Sequence, residues 1–126
     1  MARILNRALL FEGTTLTGVG SSITSAVLDV SRNEYASMHY ELNRATTSLL
    51  IAGTIRLLVS ADSLATFVRP TNPTGGDVST LYQFNSNNQA FTVDIPAINY
   101  AQIQFISSTA GNIIFNNVWL MWDELD

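Results

Sequence analysis

The chain of 126 residues contains no cysteine, which removes disulfides, thiolate metal sites and cysteine nucleophiles from consideration. Lysine is missing too: all six basic residues are arginine, at Arg3, Arg7, Arg32, Arg44, Arg56 and Arg69. Lysine is the usual blocker of exposed strand edges, and interface cores favour arginine over it. Charged residues make up 13% of the chain, about half the ordinary level near 25%. The net charge is -4 and no basic run occurs, so the clustered cations that a phosphate backbone requires are lacking and nucleic acid is not an expected partner. No apolar run approaches the roughly 18 residues of a membrane span. The opening MARILNRALLFEG carries an arginine inside its apolar stretch and no small-residue cleavage site, so neither membrane insertion nor secretion is expected. The sequon Asn72-Pro73-Thr74 is blocked by its own proline.

What remains is a chain that is 47% hydrophobic and rich in small polar residues, with 13 threonines, 12 serines and 11 asparagines. Hydroxyls and amides keep its surface wet. The length suits one domain, residues 1–126, and no linker or internal repeat divides it. Period-2 alternation dominates. In TIRLLVSA, Ile55, Leu57 and Val59 fall on one face and Thr54, Arg56 and Ser60 on the other, with Leu58 the exception. AFTVDIP sets Phe91, Val93 and Ile95 against Thr92 and Asp94, and AQIQFISS sets Ala101, Ile103 and Phe105 against Gln102 and Gln104. Further strands are expected at Ile4 to Glu12, Ile23 to Val30, Ala36 to Leu42, Ser48 to Ala52 and Ile113 to Trp122; residues 1–10 and 44–52 also fit short helices. STLYQF and QAFTVDI, joined through Asn85-Ser86-Asn87-Asn88, read as a β-hairpin. RPTNPTGGD, residues 69–77, has no periodicity and reads as an exposed, adaptable loop. About eight short strands at roughly ten-residue spacing predict an all-β fold, an antiparallel β-sandwich of jelly-roll type.

Signs of catalysis are sparse. His39 is the only histidine and no nucleophile-elbow motif accompanies it, so it reads as a strand residue on an outward or rim face. GVGSSI, residues 18–23, lacks the ending of a phosphate loop and reads as a turn. Most carboxylates fall at expected strand ends or turns; Glu41 and Asp94 alone look like mid-strand acids. No D-x-D calcium pattern occurs. No catalytic residue, metal or cofactor is expected.

The aromatics are the informative residues. In NNVWLMWDELD, residues 116–126, Val118, Leu120 and Trp122 share one face of a strand and Trp119 and Met121 the other. A strand with water on one side should alternate, and this one is apolar on both, so both faces need cover. One is the sandwich core. The other is overlain either by the chain itself, through a loop or the N-terminal segment, or by a neighbouring subunit, since aromatics, methionine and arginine are what interface cores enrich. Under the second possibility Trp119, Met121, Trp122, Arg3, Arg7 and Arg69 are the contact residues.

A short chain without lysine or cysteine that opens MARILNRALL, runs through TSLLIAGTIRLLVSAD and ends in VWLMW resembles the small virion structural proteins of tailed bacteriophages. These are capsid decoration or cement proteins and head or tail accessory proteins with jelly-roll folds. The resemblance implies a non-enzymatic protein, assembled in a host cytoplasm and resident in the virion. It would bind a major capsid or other virion protein, as a homo-oligomer with a trimer favoured. No motif matches position by position, so no family residue is carried over. The alternative is a carbohydrate-binding sandwich or receptor-binding virion accessory protein, presenting Tyr82, Trp119, Asn87 and Asn88 to a sugar.

Overall fold

The computed structural model describes residues 3–30, 35–44, 52–62, 66–84, 88–93, 95, 98–108 and 112–125. Nine strands are present among them: β1 (Arg3–Thr17), β2 (Ser22–Thr24), β3 (Leu28–Asp29), β4 (Tyr35–Arg44), β5 (Gly53–Ser60), β6 (Thr80–Phe84), β7 (Asn88–Val93), β8 (Tyr100–Ser107) and β9 (Asn112–Leu125). They form two antiparallel sheets, a four-stranded one in the order β1-β9-β4-β7 and a five-stranded one in the order β2-β8-β5-β6, with β3 also on β8. Apart from β2 to β3 and β5 to β6, each strand is followed in sequence by one in the opposite sheet. That wrapping is the jelly-roll form of the antiparallel sandwich. Counted with β2 and β3 as one interrupted strand, it has the expected eight.

The expected strand from Ile23 to Val30 is broken at Ser25. This buried serine takes the place of a ladder residue: its amide donates to the Ile103 carbonyl at 2.8 Å and its hydroxyl accepts the Ile103 amide at 2.9 Å. The chain therefore stays on β8 while the regular pairing lapses. The helical alternative for residues 1–10 does not hold from Arg3 onward, because β1 pairs with β9 along its length, from Arg3 opposite Leu125 to Thr17 opposite Asn112. The expected strand at Ser48 to Ala52, and the helical alternative there, lie almost wholly outside the described residues.

The expected β6–β7 hairpin is not formed. β6 pairs with β5 and β7 pairs with β4, so the two strands lie in different sheets. Alternation within each strand is compatible with both outcomes, and the aromatics decide between them. Tyr82 and Phe91, which a hairpin would place side by side, instead stack at 4.3 Å and 15° between the two sheets. Phe84 turns inward and lies over Gly53, where an added Cβ would come within 3.0 Å of the Phe84 ring and the Ile106 carbonyl oxygen.

The core fills the space between the sheets. Phe105, fully buried at the centre of β8, touches four rings: Phe11 at 5.7 Å, Tyr40 at 6.5 Å, Phe84 at 5.7 Å and Phe115 at 5.0 Å. Most of these contacts are edge-on or tilted, the geometry favoured by ring quadrupoles. Met38, Leu57, Ile103, Ile113, Val118 and Leu120 are among the aliphatic residues packed in this core. In β5 the inward residues Gly53, Ile55, Leu57 and Val59 are buried, and Leu58 sits half-buried on the outside.

Candidate functional site

β9 lies between two partners, β1 on one side and β4 on the other. Val118 and Leu120 point into the core and are fully buried. Trp119 and Met121 therefore point away from it, onto the outer face of the four-stranded sheet, where both are half-buried. The N-terminal segment, one of the expected covers for that face, does not overlie it. It lies beside β9 in the plane of the sheet and adds apolar side chains of its own. Leu5, Arg7 and Leu9 alternate outward, opposite Asp123, Met121 and Trp119. Leu5 is 73% exposed and Leu9 40%. On the far side of β9, His39 lies opposite Trp119 and Ser37 opposite Met121.

Two irregularities shape this face. A bulge at Leu10 shifts the β1 register between Leu9 and Phe11, and β9 shifts against β4 between Asn117 and Phe115. Arg7 and Glu12 are an odd number of residues apart, which on a regular strand would put them on opposite faces. Because of the bulge both face outward and both are exposed. The Arg7 guanidinium carbon lies 5.9 Å from the centroid of the Trp119 ring, a cation–π contact that shields part of the indole. Glu41, opposite Asn117, accepts a hydrogen bond from the Asn116 side chain at 3.4 Å.

The expected contact residues thus separate into groups. Trp119, Met121 and Arg7 converge on one surface. Arg3 begins β1 opposite Leu125, and its side chain lies outside the described residues. Trp122 is on the inward side with Leu120 and packs against the core. Arg69 belongs to the connection between β5 and β6, where it pairs with Asp77 at 3.5 Å. Sequence reasoning missed Leu5, Leu9 and Glu12. The period-2 spacing in LNRAL carried part of that signal, whereas LLF would set Leu9 on the side of the buried Phe11, and the bulge that separates them and turns Glu12 outward left no mark in the sequence.

The residues put forward for a sugar do not come together. Tyr82 is half-buried with one ring face against Phe91, and its hydroxyl accepts a hydrogen bond from the Gln89 side chain. Trp119 is on the outside of the opposite sheet. Asn87 and the side chain of Asn88 lie outside the described residues. Among the described residues, no three histidine or carboxylate side chains gather in a metal-binding cluster. GVGSSI opens as a turn and runs into β2 at Ser22: Gly18 and Gly20 have φ of 90° and 84°, and the Gly20 amide and Ser21 carbonyl dock on Ser107.

RPTNPTGGD is exposed as expected, but it is folded rather than loose. Val68 pairs with Val59, the chain turns outward, and the Ser79 carbonyl rejoins β5 at the Leu57 amide. At the tip, Asn72 Oδ1 accepts from the Thr74 amide at 3.1 Å, the Thr74 hydroxyl at 2.8 Å and the Gly76 amide at 2.8 Å. Gly75 supplies the positive φ of 89° that the turn needs. At the base Asp77 accepts the Ser79 amide at 2.7 Å. The Ser79 hydroxyl, beside the carboxylate though without a completed hydrogen bond in this structure, and the Ser79 amide, followed by the Arg69 and Arg56 guanidinium groups, hold the Asp77 carboxyl below its ordinary value.

No protein-family profile matches the chain, and no curated protein matches its sequence. Similar solved structures include the crystal structure of FlhE, with 14% identity, a TM-score of 0.48, and 99% of this chain and 97% of that one covered. A family 35 carbohydrate-binding module from an environmental isolate matches at 17% identity and TM-score 0.47, covering 82% of this chain and 66% of the module chain. A chain from infectious bursal disease virus, Gx strain, matches at 9% identity and TM-score 0.43; 97% of this chain is covered but 36% of the viral one. The structural neighbours of the sandwich thus include carbohydrate-binding modules and a viral chain.

Proposed function

We propose that the chain is a non-enzymatic virion structural protein, one domain over residues 1–126, which binds and stabilises a capsid or head–tail lattice as a symmetric oligomer. Copies of the chain meet through the outer face of the four-stranded sheet. The observation that carries this reading is the apolar cluster there: Leu9, 40% exposed, lies directly opposite the half-buried Trp119, with the half-buried Met121 and the 73% exposed Leu5 on the diagonals. Apolar side chains contiguous across neighbouring strands mark interaction surfaces, whereas isolated ones need no explanation. The surrounding surface has few charges and no lysine, which suits permanent contact with neighbours. A modest contact area per copy becomes effectively permanent when symmetry repeats it.

A carbohydrate-binding reading draws on the other sheet, whose outer side carries the amides of Gln102 and Gln104 beside Thr24 and Arg56. Light scattering on the purified chain and its Trp119→Ala variant, with a glycan array, separates the two. The expected result is a wild-type oligomer that dissociates in the variant while circular dichroism stays unchanged, with no glycan bound. A variant that loses its fold would make Trp119 a core residue, and a monomeric wild type that binds a glycan would establish the alternative.

A further inference from the structure

The outer face of the four-stranded sheet is arranged in rows that run across the strands. The central row, fixed by the register, is Leu9, Trp119, His39 and Ala90. One row to one side lies Arg7, opposite Met121; one row to the other lies Glu12, opposite Asn117. Met121 and Asn117 are four residues apart on β9, so Arg7 and Glu12 stand about 13 Å apart along the sheet, too far to pair within one chain. Among the described residues Arg7 contacts the Trp119 ring and forms no ion pair. The two opposite charges of β1 therefore flank the apolar row at about equal distances.

We infer that this face binds a second copy of the same chain, face to face, about a two-fold axis lying along the Leu9–Trp119–His39–Ala90 row. The inference rests on the assembly reading above and names its partner. A rotation of 180° about that row sets Arg7 over Glu12 of the other copy and Glu12 over its Arg7. It also sets the tryptophan rows over each other and Ser37 over Glu41. Other placements of the axis along β1 lose the reciprocal ion pairs: one through Arg7 sets that arginine against its own copy, and one midway between Arg7 and Leu9 sets the arginine against the leucine, which is how an interface rejects a wrong register. Packed sheets differ in strand direction by about 30°. At about 7 Å from the axis that rotation displaces a residue by about 3.5 Å, within reach of an arginine side chain. The lack of lysine leaves this face without the usual guard against self-association. Four strands by about five outward residues give a footprint of about 19 by 27 Å, on the order of 500 Å² per copy. That is the low end for specific pairs, so the contact is concentration-dependent.

Sedimentation velocity across a concentration series tests this pairing. Wild type is expected to dimerise, and Arg7→Glu and Glu12→Arg each to weaken the dimer at least tenfold by opposing like charges at two symmetric points. The decisive sample is a mixture of the two variants. In the heterodimer the glutamate introduced in one variant meets the arginine introduced in the other, and the native Glu12 of the first meets the native Arg7 of the second. Mixing therefore restores the dimer, as does the double exchange in one chain. Both substitutions fall at exposed strand positions, and circular dichroism checks that the variants fold. A dimer indifferent to both charge reversals but dissolved by Trp119→Ala would overturn the two-fold register and leave the assembly reading standing. A dimer indifferent to all three would overturn both.

Discussion

The two sheets share one core and differ on their outer sides. On the five-stranded sheet, Thr54, Arg56 and Leu58 of β5 alternate outward against Ile106, Gln104 and Gln102 of β8. Apolar residues there are separated by polar ones, and the amides are engaged locally: Gln104 donates to the Thr24 hydroxyl at 3.3 Å and Gln102 to the Ser25 carbonyl at 3.2 Å. On the four-stranded sheet Leu9 of β1 stands directly opposite Trp119 of β9, with Met121 on the diagonal to both Leu5 and Leu9, while Asp123 and Arg7 lie at the margin of this cluster. Both faces come from the same period-2 alternation. The lesson is that an exposed apolar residue acquires meaning from its cross-strand neighbour and not from its own strand.

The comparison breaks most completely at the shared core. Phe105→Ala removes the ring on which Phe11, Tyr40, Phe84 and Phe115 converge, and a buried aromatic truncation costs about 3–5 kcal/mol. Urea unfolding should show that loss, with both outer faces failing together. Gly53→Ala strikes only the five-stranded sheet, where the new methyl meets the Phe84 ring and a backbone oxygen. Overpacking of this kind costs about 1–3 kcal/mol, and the rigid carbonyl argues against cheap relief. A variant as stable as wild type would mean that Phe84 can move off the glycine. Smaller still is the contrast between faces: Gln104→Ala should alter stability by less than about 0.5 kcal/mol and leave assembly unchanged. If it dissociates the oligomer as Trp119→Ala is expected to, the distinction between the faces is lost.

The all-β class and the jelly-roll form were legible because they rest on alternation and turn chemistry, which are local. The two apolar faces of β9 were legible for the same reason. What sequence could not fix was partner choice. Asn85 to Asn88 marks a reversal, yet whether β7 returns beside β6 or crosses to β4 depends on where Phe91 and Tyr82 find cover, a contact between sheets. The length of β1 was likewise understated. Glu12 and Gly13 look like an ending, and the strand runs on to Thr17 because β9 offers partners that far. The outward pair of Arg7 and Glu12 depends on one bulged residue, Leu10, whose side chain is an ordinary leucine.

The smallest effect is found in the 69–77 excursion, where tip and base differ in what holds them. At the tip the acceptor is the Asn72 amide, which does not titrate. At the base it is the Asp77 carboxylate, held below its ordinary value by the Ser79 hydroxyl and amide and then by Arg69 and Arg56. A carboxyl whose folded value is depressed contributes stability above its unfolded value, about 3.9, and loses it as pH falls through the folded value below that. Acidification below about pH 4 should therefore move the Ser79 amide resonance while those of Thr74 and Gly76 stay in place. Asp77→Asn keeps an oxygen to accept from Ser79 but cannot titrate, so the Ser79 response should flatten. Added salt should weaken only the arginine contribution, since the hydrogen bond from the Ser79 amide is short-ranged. A Ser79 midpoint above 4 would show that these neighbours do not stabilise the carboxylate, and a tip that titrates along with the base would show that the whole excursion depends on its charge.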